Sequence, residues 1–385
     1  MKIAIISTME GSPWGGSEYL WASIAEKALN EGHEVFISIC DWSISHTTVK
    51  KLKDLGACLL PRPRFFKPLY FLKTVINCVA KPSTQQLLSL LLNYPTVFTC
   101  KPDVICISQG GSYDVAHILG LRQLLHYSGI PYSIICHFNS DSSLLSQVKR
   151  KSIYQFFKNA KFVAFVSEQN YKLAEHHLAC SLSNTIVVKN PVNLLDHSLV
   201  PFPQSSTPSF ACVARLETFY KGQDILFKSL SSEIWRERDW QCCLYGSGLD
   251  EEYLKLLSRH YGIENRIQFM GHINDVRSIW AENHILVLPS RAEGTPLSLV
   301  EAMLCGRPAV VTDVGGNADW IEENNTGFIA EAPTAKHLNI ALEKAWLDRD
   351  NWQQMGLKAH NYAKNNIDER PGKTLLNLIL NSVKS

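Results

Sequence analysis

The 385-residue sequence lacks four features that would place it quickly. No apolar run approaches the roughly 18 residues that cross a bilayer, and the short run after Met1 gives way to polar residues and glycine, which reads as a first strand and not a leader. The eleven cysteines are scattered, odd in number and without a Cys-x-x-Cys pair, so neither a disulfide framework nor a zinc site is expected. They read as buried, reduced thiols of a cytoplasmic protein. Charge of either sign is scarce in excess: a net charge of +2 argues against nucleic acid as the main partner. No Gly-x-Gly-x-x-Gly fingerprint follows the first strand.

What is present describes a folded chain, 45% hydrophobic and 19% charged, long enough for two domains. Strand-like runs at 2–7, 34–39, 104–108, 132–136, 162–166 and 186–188 alternate with amphipathic helical stretches such as 17–30. A second series follows at 210–215, 241–245, 267–269, 285–288 and 309–312. Alternation of this kind predicts α/β domains built on parallel sheets covered on both faces. Between the series, 191–209 is rich in proline and serine and reads as a linker. The expected plan is therefore a domain over 1–190, a linker over 191–209, a domain over 210–365 and a C-terminal helix over 366–385 that packs back towards the first domain. Two such open sheets would face each other across a cleft, with ligands at the C-terminal ends of their strands.

The segment 291–307, RAEGTPLSLVEAMLCGR, puts one glutamate on a turn and another in an apolar helix. Thr295 can cap that helix and Pro296 fits its first turn, leaving N–H groups free for an anion. Glu293 would point into the same space. Glu301, on the face of Leu297 and Cys305, needs a partner, either sugar hydroxyls or Arg307, unless it faces solvent. In CVARLETFYKGQDIL, Arg215 is expected to end a strand and Lys221 to lie on the next loop. The two can hold a diphosphate or form a solvated basic loop. Gly246 lies in a glycine turn at the next strand end. In the first half, Gly15, Gly16 and Ser17 open a helix where a phosphate or sugar can approach, and His137 ends another strand, in a structural or a functional role.

Together these stretches resemble the retaining glycosyltransferases of family 4, with the GT-B fold of two facing Rossmann-like domains. The resemblance is most specific over 289–330, which looks like the family's Glu-x7-Glu donor signature followed by its G-x-P-V-V…G-G…E…G segment. ARLETFYKGQDIL is similar to the family's phosphate motif, and VVKNPVNL to its interdomain turn. Asp319 stands where many members have glutamate, and Pro191 where glycine is common. The resemblance implies that Arg215 and Lys221 hold the donor diphosphate and that Glu301 binds the ribose. Glu293 with Gly294, Thr295, Pro296 and Leu297 would hold the sugar, the N–H groups of Gly294, Thr295 and Leu297 acting as donors. Gly15, Gly16 and Gly246 would approach the nucleotide, and His137 would stand beside the reacting carbon. The implied donor is a UDP- or GDP-linked sugar and the implied acceptor a saccharide or lipid-linked hydroxyl, in surface polysaccharide or glycolipid assembly.

No Asp-x-Asp pair is placed for a metal, so no metal or other cofactor is expected. No second carboxylate is placed as a nucleophile for double displacement, which favours a front-face route. Lys221→Ala is expected to lower turnover far more than stability. Two basic-aromatic stretches, 62–73 and 147–161, read either as peripheral contacts with an anionic membrane at its inner face or with a lipid-linked acceptor, or as solvated faces with buried aromatics. A sugar-nucleotide epimerase and a non-catalytic nucleotide-sugar binding protein remain alternatives.

Overall fold

The structure, a computed structural model, describes residues 1–62 and 94–384. It divides into a first unit of Met1–Pro191 with Asp368–Ser385 and a second of Val192–Ile367. In the first, β1 (Lys2–Ser7), β2 (Glu34–Cys40), β3 (Cys58–Arg62), β4 (Val104–Gln109), β5 (Tyr132–Cys136), β6 (Val163–Phe165) and β7 (Thr185–Val187) form one sheet in the order β3-β2-β1-β4-β5-β6-β7. Every pairing is parallel. Alternate residues of β1 enter different cores: Ile3 and Ile5 pack with Leu20 and Trp21 of the Glu18–Asn30 helix, while Ala4 and Ile6 pack with Phe157 and Phe165. A strand buried on both faces has no polar side to alternate, which is why it reads as a continuous apolar run.

The second unit repeats the plan with β8 (Ser209–Val213), β9 (Gln241–Tyr245), β10 (Ile267–Gly271), β11 (Ile285–Leu288), β12 (Ala309–Thr312) and β13 (Gly327–Ala330). Their order is β10-β9-β8-β11-β12-β13, again wholly parallel. Two strands have no counterpart in the sequence reading, β3 and β13, and both are edge strands. Pro61 in β3 is tolerated there because an edge leaves one side of the ladder unused.

The stretch expected as a linker is joined to the second unit from Val192 onward. Leu194 and Val200 are buried in its core, and the Val200 N–H donates to the Cys305 carbonyl at 3.2 Å. At the other end, the helix Pro371–Lys384 belongs to the first unit. Leu375, Leu376 and Ile379 are buried against the Glu18–Asn30 helix side of the sheet. Gly372 lies so near the Ser23 carbonyl that a Cβ would come within 2.5 Å of it. Among the described residues ten cysteines are free thiols, most of them buried, although Cys58 and Cys180 are exposed. No helix among the described residues is long and apolar enough to cross a membrane.

Candidate active site

In an open parallel sheet the loops leaving two neighbouring strands part where the strand order reverses, which leaves a crevice at the carboxyl ends of those strands. In the second unit that point lies between β8 and β11. The loop after β8 carries Arg215 and the short helix Thr218–Lys221; the loop after β11 carries Glu293 and Gly294. Topology thus brings together two stretches some seventy positions apart in the chain.

Lys221 Nζ contacts both oxygens of Glu293 at 2.7 and 2.9 Å, and the Ser290 hydroxyl donates to Glu293 at 2.7 Å. Both side chains of the pair are largely buried. The contact revises the sequence-based expectation for Lys221→Ala. Removing the ammonium leaves a buried carboxylate without its counter-charge, which costs about 3 kcal/mol of stability in addition to any effect on turnover.

Arg215 lies beyond the end of β8 rather than on it; its side chain is 61% exposed and pairs with Glu217 at 3.2 Å. Gly246 and Gly222 shape the neighbouring backbone. At both, φ is positive, and a Cβ would fall 2.1 Å from the carbonyl oxygens of Ala214 and Pro289 respectively. Only glycine lets these loops close on one another.

The helix after the Gly294 turn runs over Leu297–Leu304 with Pro296, not Thr295, in the cap position. Thr295 is buried, and Gly316 donates its N–H to the Gly294 carbonyl. One turn into the helix, Glu301 is 7% exposed, and its carboxyl has no hydrogen-bond or ion-pair partner among the described residues. Burial alone raises its pKa to about 7. Arg307, the partner considered from sequence, is engaged elsewhere by main-chain carbonyls.

Sequence reasoning missed the pair that fixes these loops. Arg291 makes two bonds of 2.7 Å to the Asp224 carboxylate and a third of 2.7 Å to the Thr218 carbonyl. It thereby ties the start of the Glu293 loop to the segment bearing Lys221. Asp250 adds a second tie, accepting from the Thr218 N–H and hydroxyl, each at 2.7 Å. The arginine directly before the Ala-Glu-Gly turn was the available signal.

In the first unit the order reverses between β1 and β4. Gly15 and Gly16 lie on the loop after β1, where the Gly15 carbonyl accepts the Glu18 N–H at 3.0 Å; the helix begins at Glu18. Glu18 is buried and accepts from the Ser7 hydroxyl at 2.9 and 3.0 Å. Burial raises its pKa to about 7, against the lowering pull of Ser7 and Arg62. Arg62, expected on a basic surface, is instead 4% exposed. It bonds the Ser38 hydroxyl at 2.9 Å and the Ser7 carbonyl at 2.5 Å and lies over the Tyr94 ring. The remainder of the basic-aromatic stretch, from Pro63, lies outside the described residues.

His137, just past β5, is buried with Nε2 at 3.1 Å from the Ser108 hydroxyl. Among the described residues its Nδ1 has no hydrogen-bond partner, and burial lowers its pKa to about 3. It is a neutral imidazole at any ordinary pH. In the helix Gln147–Lys158, Ile153, Phe156 and Phe157 face inward, while Val148, Lys149, Lys151 and Lys158 are exposed. Among the described residues no group of three or more His, Cys, Asp or Glu side chains is placed to hold a metal ion.

Two parallel Rossmann-like sheets of seven and six strands define the α/β GT-B class. Residues 202–366 match the family "Glycosyl transferases group 1", and this segment is a domain of that family. An uncharacterized glycosyltransferase of Haemophilus influenzae is 33% identical over 178 residues, 46% of this chain and 50% of that protein. The chain spans half or less of the length of the curated relatives it matches first. Among solved structures, Anabaena HepE in complex with UDP superposes with a TM-score of 0.73 at 19% identity, covering 99% of this chain and 100% of HepE. The apo lipopolysaccharide outer core galactosyltransferase WaaB gives 0.71 at 23% identity, covering 99% of each chain. These structures share the fold.

Proposed function

We propose that the chain is a retaining glycosyltransferase of the family 4 kind, moving a sugar from a UDP- or GDP-linked donor to an acceptor hydroxyl in surface polysaccharide or glycolipid assembly. The observation that carries this reading is the grouping of Lys221, Glu293 and the unpartnered Glu301 around the strand-order reversal of the second unit. In this reading Lys221 and Arg215 offset the charge that develops on the departing diphosphate. Glu301 accepts from the ribose hydroxyls, and Glu293 with the N–H groups of Gly294, Thr295 and Leu297 holds the sugar. Gly15, Gly16 and Gly246 let backbone approach the nucleotide. His137, neutral and with a free ring nitrogen, offers a hydrogen bond to the sugar rather than a charge.

The bond from the anomeric carbon to the phosphate oxygen breaks as the acceptor oxygen bonds the same face, and the acceptor proton passes to the departing phosphate. Charge offset by Lys221 and Arg215 lets this proceed without a metal. The relatives fit the donor class: HepE is solved with UDP-glucose. Exposed Val148 and Leu144 beside Lys149 and Lys151 suit peripheral contact with the inner, anionic face of a membrane, which pelleting with anionic vesicles tests.

The decisive test is a thermal-shift screen against UDP, GDP, ADP and their sugar conjugates, repeated with Glu301→Ala. A ligand that binds only the folded state raises its melting temperature. One nucleotide series is expected to do so and to lose the effect in the variant. No shift with any of them removes the donor assignment.

A further inference from the structure

The edge of the second sheet opposite these loops carries a cavity of about 380 Å³ lined by Arg236, Trp240, Arg259, His260, Tyr261 and Arg266 among others. Its position follows from the chain: Trp240 immediately precedes β9, and Arg266 immediately precedes β10. Lys221 and Glu293 follow the carboxyl ends of parallel strands, so the two places lie at opposite ends of one sheet.

No carboxylate is among the lining residues. Arginines that pair with carboxylates among the described residues are Arg215, Arg238, Arg277 and Arg291, which leaves all three cavity arginines without a counter-charge. Two of them are oriented by main-chain carbonyls. Arg236 donates to Ser231 at 3.0 Å and to Tyr261 at 3.3 Å. Arg266 donates to Trp235 at 3.2 Å, to Arg236 at 3.0 Å and to Arg238, with its guanidinium over the Trp240 ring. A carbonyl fixes a guanidinium without neutralising it. The guanidinium of Arg259, at the exposed end of the Glu251–His260 helix, makes no hydrogen bond to the described residues. Asp239, near in sequence, is turned to the Thr207 hydroxyl at 2.7 Å.

Three guanidiniums around one concavity concentrate more positive charge than the whole chain carries in excess, a net +2. Like charges held together repel unless an anion lies among them. Guanidinium forks match phosphate oxygens in geometry as well as charge. We propose that this cavity binds a phosphate-bearing anion, at a site separate from the Lys221–Glu293 constellation and independent of its function.

The test is calorimetric titration of the full chain with inorganic pyrophosphate at low and physiological salt, in the parent, Arg259→Glu and Arg215→Ala. Arg259 is exposed and unpaired, so its variant is expected to keep the parent melting temperature; Arg236→Ser provides a second reading. The expected result is a salt-sensitive binding event lost in Arg259→Glu and Arg236→Ser and retained in Arg215→Ala, distinct from any event at the donor site, which shows the opposite pattern. Phosphatidylglycerol vesicles form a parallel arm. Vesicle pelleting that is lost in Arg259→Glu, with no pyrophosphate binding by the parent, supports the site and assigns its phosphate to a lipid headgroup. Binding that is insensitive to Arg259→Glu and Arg236→Ser, or no binding of either probe, overturns the proposal.

Discussion

Burial of the Glu301 carboxyl without a partner links its proton to folding. Its pKa is about 7 in the folded chain against an ordinary value of 4.5, so between these values the folded chain holds a proton that the unfolded chain releases. The associated stability is complete below pH 4.5 and is lost as pH rises through 7. A shift of this size corresponds to about 3 kcal/mol. Glu301→Gln, uncharged throughout, is expected to match the parent near pH 4.5 and to exceed it by about 3 kcal/mol near pH 8 in urea unfolding. A difference that does not vary with pH would mean that the carboxyl is not carrying the proton. At this scale the Lys221 and Glu293 motifs were legible in the sequence, but their mutual pairing was not, because 72 positions separate them. Arg291 and Asp224, 67 apart, were hidden for the same reason. Arg62 was read as part of a basic surface because an arginine between prolines gives no sign of the Ser7, Ser38 and Tyr94 groups that enclose it.

At the scale of elements, the end of the Leu297–Leu304 helix depends on one side chain. Gly306 turns the backbone at φ +82, and Arg307, 1% exposed, donates to six main-chain carbonyls, those of Trp280, Asn283, Val200, Pro201, Cys305 and Gly306. Burial lowers its pKa to about 10, which still leaves it charged at neutral pH. Arg307→Ala would orphan several buried acceptors and is expected to cost about 3–5 kcal/mol. Arg307→Lys should recover little of this, because a point ammonium cannot span the same carbonyls. Denaturant unfolding followed by tryptophan fluorescence measures both; a near-parent midpoint for the alanine variant would show that water satisfies those carbonyls. Apolar runs located most strands, whereas β3 has a single buried residue and β13, although mostly buried, is only four residues long and begins with glycine.

For the whole molecule, the chain passes between its two units twice, at 191/192 and at 367/368. The boundary drawn from composition, near 210, would cut Leu194 and Val200 from the core and take two carbonyls from Arg307. Residues 192–367 expressed alone are therefore expected to melt cooperatively, and 210–365 to melt about 5–10 °C lower. Equal melting temperatures by calorimetry would mean that 192–209 contributes nothing to the second unit. Proline and serine content suggested a flexible connection; the apolar residues spaced among them are what attach it.

The sequence by itself determined the α/β class, most interior strands and the positions of the Glu-x7-Glu and Arg…Lys-Gly motifs, because buried parallel strands and glycine turns are written in local residue order. Tertiary structure alone decided that Lys221 neutralises Glu293, that Glu301 stands without a partner among the described residues, and that three arginines gather at the far edge of the second sheet. Those outcomes depend on which strands become neighbours, and hydrogen bonds and Coulomb forces act over distances in space that local sequence order does not encode.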